Sequence, residues 1–159
     1  MRRRRILHQT ERLRSLARPY DSANKVANKR VLCVDDSKQI CAVISQLLEP
    51  VEVHPAYTIS GALSAASSEK FDLFVIDVYL PDGVGPDLYV QLRENHPDTP
   101  AIFITTSPDF SSSDVQELGA VDLIRKDSPN FVRDLLAISE KFLGSASYVG
   151  RSGTSGTSS

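Results

Sequence analysis

Five side chains in this sequence are of the types that move a phosphoryl group, and each stands at the close of a short apolar run. Asp35 and Asp36 follow Val31-Leu32-Cys33-Val34, and Asp77 follows the run from Phe71 to Ile76. Thr105, with Thr106 beside it as a neighbour, follows Ala101 to Ile104 as the fourth, and Lys126, two residues after Ile124, is the fifth. A carboxylate such as Asp77 can attack phosphorus and become an acyl phosphate. Several carboxylates in one crevice repel one another unless a cation joins them. Mg2+ suits that place because it binds through one or two carboxylates, phosphate oxygens and water. Lys126 can then neutralise one phosphoryl oxygen while the Thr105 hydroxyl donates to another. Taken singly, each residue has an ordinary explanation. An acidic pair after a strand commonly caps a helix, a β-branched threonine suits a strand, and a surface lysine snorkels. Their shared position at the ends of successive apolar runs is what favours chemistry.

That position requires a scaffold. Residues 31–34 form the unbroken apolar run that a central parallel strand, buried on both faces, needs. Ser37 is placed to cap a helix in which Ile40, Val43, Ile44, Leu47 and Leu48 share a face, until Pro50 ends it. Residues 51–56 read as a second strand, and Ser60 opens a helix with Leu63 and Ala66 inward. A third strand over 71–76 precedes Pro81-Asp82-Gly83, which is turn chemistry. Pro86 suits the first turn of a helix carrying Leu88 and Leu92. Residues 101–104 are a fourth strand, followed by a short helix around Val115 and Leu118 that Gly119 ends. Residues 121–124 are a fifth. Ser128-Pro129 supplies a cap and a first-turn proline for a last helix buried along Phe131, Leu135, Ile138 and Phe142. Five strands alternating with five helices predict an α/β fold, a doubly wound five-stranded parallel sheet with helices on both faces. Function in such open sheets gathers at the carboxyl ends of the strands, where the five side chains stand.

The totals agree with one domain and two appendages. The hydrophobic fraction of 41% is enough for a core, and no run approaches the ~20 apolar residues of a membrane span. Arg2 to Arg5 precede no apolar stretch of the signal-peptide kind, so a cytoplasmic setting is expected. Cys33 and Cys41 cannot build a disulfide framework and read as buried reduced thiols. The net charge of −2 conceals +8 over residues 1–30 and −10 over the remainder. A basic arm (1–29) is thus joined to an acidic domain (30–143) and a Gly/Ser/Thr-rich tail (144–159). Three readings of the arm stand open: a solvated, partly helical or disordered extension, a contact with an acidic partner, nucleic acid or an anionic membrane surface, or docking on the acidic domain itself. The tail is too short for a DNA-binding domain. The expectation is therefore a stand-alone regulator or a piece of a larger protein, with no intrinsic DNA-binding domain.

The segments VLCVDD (31–36), FVIDVYLPDGVGPDL (74–88), AIFITT (101–106) and GAVDLIRK (119–126) carry a specific resemblance. The span 30–143 resembles the receiver domain of two-component response regulators, whose fold is flavodoxin-like. The resemblance implies that Asp77 is the phosphoacceptor in a phosphorelay. It implies that Asp36 and Asp77 bind Mg2+ directly, joined by the Tyr79 backbone carbonyl, with Asp35 helping through water. Thr105, with Thr106 beside it, is the hydroxyl that shifts toward the phosphoryl group, and Lys126 is its ammonium partner. Tyr79 and Ser107 stand by resemblance at the mouth of the water approach. The implied partners are a sensor histidine kinase or phosphotransfer protein and a downstream protein target. Two departures bear on the switch. Asp127 follows the lysine where many receivers have proline, and Leu123 stands where many have a rotating Tyr or Phe.

Other readings fare less well. His8, His54 and His96 lack ligand spacing, and no glycine-rich phosphate loop follows the first strand. A Mg2+-dependent phosphohydrolase with an aspartyl nucleophile needs a second Asp two positions on, where Tyr79 stands; a phenol cannot easily protonate a leaving group at neutral pH. A degenerate receiver that docks partners without phosphorylation is disfavoured by the complete set of Asp35, Asp36, Asp77, Thr105 and Lys126. The expectation is a phosphoacceptor protein and not an enzyme.

Overall fold

The computed structural model describes residues 25–144; most of the basic arm and nearly all of the tail lie outside the described residues. The elements run β1 (Arg30–Val34), α1 (Lys38–Leu47), β2 (Glu52–Ala56), α2 (Ile59–Ser68), β3 (Leu73–Asp77), β4 (Tyr79–Leu80), β5 (Gly83–Val84), α3 (Gly85–Asn95), β6 (Ala101–Thr105), α4 (Ser112–Leu118), β7 (Asp122–Arg125) and α5 (Phe131–Leu143). Five strands form one parallel sheet in the order β2-β1-β3-β6-β7, and β4 and β5 pair as a small antiparallel hairpin.

The apolar runs are continuous because the inner strands have a core on each side. Alternate side chains Val31, Cys33, Leu73, Val75, Ile102 and Ile104 pack with Ile44 of α1, Leu48 just beyond it, and Leu135 and Ile138 of α5. The residues between them, Leu32, Val34, Phe74, Ile76 and Phe103, pack with Ala62, Leu88, Leu92 and Val115 of α2, α3 and α4. Each fully buried Leu, Ile or Phe contributes about 2 kcal/mol. The dry pair β1 and β3 is therefore a rigid mount for whatever stands at its end.

Local signals failed in four places, each for a physical reason. The buried stripe of α1 runs through Cys41, Ile44 and Leu47, with Leu48 just beyond the helix, while Val43 is 41% exposed. Val43 lies about 100° round the helix from Ile44, outside the face that the sheet covers. Thr58, not Ser60, caps α2 by accepting from the Gly61 N–H at 3.0 Å. The next two free amides, Ile59 and Ser60, donate to the Asp82 carboxylate at 2.7 and 3.1 Å. That long-range cap ties the β4–β5 hairpin to α2 and has no local trace. Ser128-Pro129 makes a lead-in turn and not the first turn of α5: Ser128 Oγ accepts from the Asn130 N–H, and Phe131 N–H donates to the Ser128 carbonyl. Finally, β3 and β6 reach one residue further than their apolar runs, so Asp77 and Thr105 are the last strand residues themselves.

Packing also begins before residue 30. Val26 is buried in the α1–α5 core, and the Lys29 carbonyl accepts from Glu52 N–H at 3.2 Å. No helix among the described residues is long and apolar enough to cross a membrane.

Candidate functional site

The connections leaving β1 and β3 turn to opposite faces of the sheet, and the crevice this opens is where such folds bind ligands. Asp35 N–H donates to the Ala56 carbonyl at 3.0 Å, which carries the β1–β2 ladder one residue past the strand. The Asp35 side chain is consequently fully buried, and its Oδ1 accepts from the Ser37 N–H at 2.9 Å. That turn leads directly into the Ser37 cap of α1, where Ser37 Oγ accepts from Ile40 N–H. Asp36 points outward and is exposed. Asp77, at the end of β3, is 6% exposed. One carboxylate oxygen from each of Asp35, Asp36 and Asp77 lies within 4.8 Å of the others.

Lys126 closes this cluster. Its backbone N–H donates to the Thr105 carbonyl at 2.9 Å, extending the β6–β7 ladder past β7. From there Nζ reaches Asp35 Oδ2 at 2.8 Å and Asp77 Oδ2 at 3.0 Å. Burial pushes the Asp77 carboxyl above its ordinary range, against the hydrogen bond from Lys126. Burial pulls the Lys126 ammonium down, but hydrogen bonds to Asp35 and Asp77 outweigh it and hold the group above the usual lysine range. One ammonium against three carboxylates leaves excess negative charge in the crevice. The donors are all oxygen and one of them faces solvent, a set that fits a hard, partly hydrated cation such as Mg2+.

The remaining expected residues surround the cluster. Thr105 is buried beside Asp77 by register, since Asp77 pairs with Ile104, and its Oγ1 accepts from the Ser107 N–H at 3.0 Å. Thr106 is exposed and Ser107 half-buried. The Tyr79 ring is half exposed while its N–H faces Asp77 Oδ1 at 3.4 Å. Leu123 is half-buried against the α3–α4 core. The Lys126–Asp127 peptide is trans, unlike Glu49–Pro50, which is cis. His54 and His96 lie elsewhere, His54 4.0 Å from Glu69 and His96 2.8 Å from the Ala66 carbonyl. A cavity of ≈ 430 Å³ between α2 and α3, lined by Leu63, Lys70, Gln91 and His96 among others, contains none of the cluster residues. Cys33 and Cys41 are buried free thiols, 3.7 Å apart.

Three contacts around the cluster went unread in the sequence. Gly85 N–H donates to the Val78 carbonyl at 2.7 Å, and a Cβ there would lie 2.2 Å from the Asp77 carbonyl oxygen, so only glycine lets α3 start this close to the acceptor. The Gly83-Val84-Gly85 spacing was the available signal. Asp82 fastens the hairpin that carries Tyr79. Arg125 grips the loop after β6, donating to the Ser107 and Phe110 carbonyls, the latter at 2.8 Å.

Comparison with known proteins matches residues 31–137 to the family described as response regulator receiver domain. The chain is 32% identical over 102 residues to the regulatory protein VanRc of Enterococcus gallinarum, covering 62% of this chain and 44% of that one. It is 35% identical over 102 residues to the alkaline phosphatase synthesis transcriptional regulatory protein PhoP of Bacillus subtilis, covering 62% and 42%. The chain thus spans less than half the length of these curated relatives. Among solved structures it resembles a CheY-like receiver domain protein from Methanospirillum hungatei, with a TM-score of 0.65, 32% identity and coverage of 72% of this chain and 93% of that one. It also resembles the chemotaxis response regulator CheY4 of Vibrio cholerae, with a TM-score of 0.62, 29% identity and coverage of 72% and 98%. A family match over residues 31–137, most of the chain, together with the five-stranded parallel sheet, identifies this protein as a member of the response-regulator receiver domain family.

Proposed function

We propose that this chain is a phosphoacceptor of a two-component phosphorelay, modified on Asp77, and that it signals through phosphorylation-dependent protein contacts in the cytoplasm. The observation that carries the reading is the Asp35, Asp36 and Asp77 cluster, with Lys126 Nζ within 3.0 Å of two of its members. Asp36, Asp77 and the Tyr79 carbonyl would hold Mg2+, with Asp35 helping through water. When bound, the ion neutralises phosphoryl oxygens and relieves carboxylate repulsion. In the transfer, an Asp77 oxygen forms the new bond to phosphorus as the bond to the donor breaks, the donor being a phosphohistidine or a small acyl phosphate. Lys126 exchanges its contact with Asp77 for a phosphoryl oxygen, and the Thr105 hydroxyl turns from the Ser107 amide to donate to another. The donor in a cell is a sensor histidine kinase or a phosphotransfer protein.

Acetyl phosphate with Mg2+ tests the reading on the full chain. It should label wild type once, on Asp77, and Asp77→Asn should fold and stay unlabelled. Label retained by Asp77→Asn would refute the acceptor assignment. Steady turnover of acetyl phosphate without accumulated label would favour a phosphohydrolase, and absence of label with wild type would favour a binding module.

A further inference from the structure

Arg125 has a part in the molecule that the phosphoryl chemistry leaves unused. It is the last residue of β7, next to Lys126, and it pairs with Thr105 across the β6–β7 ladder. Among the described residues its guanidinium forms no ion pair. Its two terminal nitrogens instead donate to the carbonyls of Ser107 and Phe110, the two ends of the turn that follows β6. A guanidinium is a planar fork with fixed donors, so it can span two carbonyls three residues apart where an ammonium grips one.

The held turn contains the groups that would have to move. Ser107 N–H donates to Thr105 Oγ1 at 3.0 Å, which commits the hydroxyl to the loop. Phe110 lies edge-on to Phe103 with centroids 5.6 Å apart, and Phe103 in turn meets Tyr89 at 5.8 Å. Tyr89 Oη donates to the Gly119 carbonyl at 3.4 Å, at the end of α4. Contacts therefore run unbroken from Thr105 through Ser107 and Phe110 to the far end of α4. Leu123 has no polar tip with which to take up a hydrogen bond on switching.

We propose that Arg125 is a latch, a positioning residue that holds the 107–110 turn, and through it the Thr105 hydroxyl, in the resting arrangement. The proposal rests on the reading above in one respect, that Thr105 leaves the Ser107 amide to meet a phosphoryl group. Releasing the Arg125 grip lowers the cost of that move and biases the domain toward its activated form.

The test compares wild type, Arg125→Met and Arg125→Lys, all as full chains. Arg125→Met keeps the unbranched stem and removes both donors, while Arg125→Lys keeps the charge beside the site and loses the fork. Amide hydrogen exchange without phosphate should speed up at residues 107–111 by about fivefold or more in both variants, as loss of charge-assisted hydrogen bonds implies. Exchange in β1 and β3 should stay unchanged, which separates a latch from general destabilisation. With Mg2+, beryllofluoride as a phosphoryl mimic should bind both variants about threefold or more tightly than wild type. Unaltered loop exchange, or mimic binding that is equal or weaker in Arg125→Lys, would overturn the latch. Should the mimic bind no form of the protein, the phosphoacceptor reading has failed, and the loop exchange alone decides the latch.

Discussion

Replacing Lys126 with methionine isolates the electrostatics of the crevice from its packing. The lysine side chain is 12% exposed and lies between Asp35 and Asp77, whose side chains are 0% and 9% exposed. Methionine fills much of the same volume and supplies no charge. The carboxylate oxygens would then face one another within 4.8 Å. At an effective dielectric near 20, two unit charges at that spacing repel by about 3–4 kcal/mol. The loss has a ceiling, because one carboxyl can escape by taking a proton. Holding a proton at pH 7 on a carboxyl of ordinary acidity costs about 4 kcal/mol. Both routes give a destabilisation of about 3–4 kcal/mol at pH 7, in the range expected for breaking a buried ion pair. For a domain of this size that lowers Tm by roughly 10–15 °C. The assay is thermal unfolding of wild type and Lys126→Met at pH 7 in a chelator and again in excess Mg2+. A divalent cation replaces the missing charge, so the Mg2+-induced rise in Tm should be larger in the variant than in wild type. The deficit should also shrink near pH 5, where one carboxyl of the unpaired set takes its proton more readily. A Tm within about 3 °C of wild type in chelator, or a Mg2+ response no larger than that of wild type, would refute the reasoning.

Gly85→Ala should lower Tm by roughly 5–10 °C and slow labelling of Asp77, because its Cβ would be driven to 2.2 Å from the Asp77 carbonyl oxygen and one strand end must shift; unaltered melting would contradict the contact. The Asp77 carboxyl is held above its ordinary 3.8 in the fold, so the folded state binds the extra proton and metal-free stability from this group falls as pH rises through the interval above 3.8. Asp77→Asn mimics the protonated form, and its stability relative to wild type should increase from pH 4 upward in chelator; a pH-independent difference would sink the claim. Tyr79 is half exposed beside the acceptor, where its ring would screen the acyl phosphate from water. Tyr79→Ala should therefore shorten the half-life of labelled protein several-fold, and an unchanged half-life would remove that role.

Much of the fold was legible because its layers impose simple periods. A strand buried on both faces has to be apolar at every position, so β1, β3 and β6 announced themselves as runs, and the alternation with helices then dictated a parallel sheet. What local pattern could not carry were contacts made by residues far apart in the chain. Ser60 has the right chemistry for a cap, yet its amide is bonded to Asp82, 22 positions away, and Thr58 takes the cap. Val43 fits the apolar period of α1 as well as Ile44 does, but the face that counts is decided by where the sheet lies. The carboxyl ends of β3 and β6 were misjudged by one residue, because the runs ended at polar side chains while the ladders went on to Asp77 and Thr105, and β3 begins at Leu73, two residues later than its apolar pattern suggested.

The site divides along the same line. Residues that carry charge at a strand end are readable, because the chain's topology brings all such ends to one edge. That alone placed Asp35, Asp36, Asp77 and Lys126 together before any distance was known. Residues that act through their backbone neighbours are not readable that way. Gly85 matters only because the Asp77 carbonyl lies against its Cα, and Arg125 only because two carbonyls of another loop come within its reach. From sequence, Arg125 looks like one more surface cation in GAVDLIRK, and attention goes to Leu123 two residues earlier, where an aromatic switch is missing. Two aromatic rings lie beside Phe103, Tyr89 from α3 and Phe110 from the β6–α4 turn, and the Phe110 carbonyl accepts from Arg125. On the latch proposed above, release of the Arg125 grip would free Ser107 and Phe110 together, because one guanidinium holds both carbonyls.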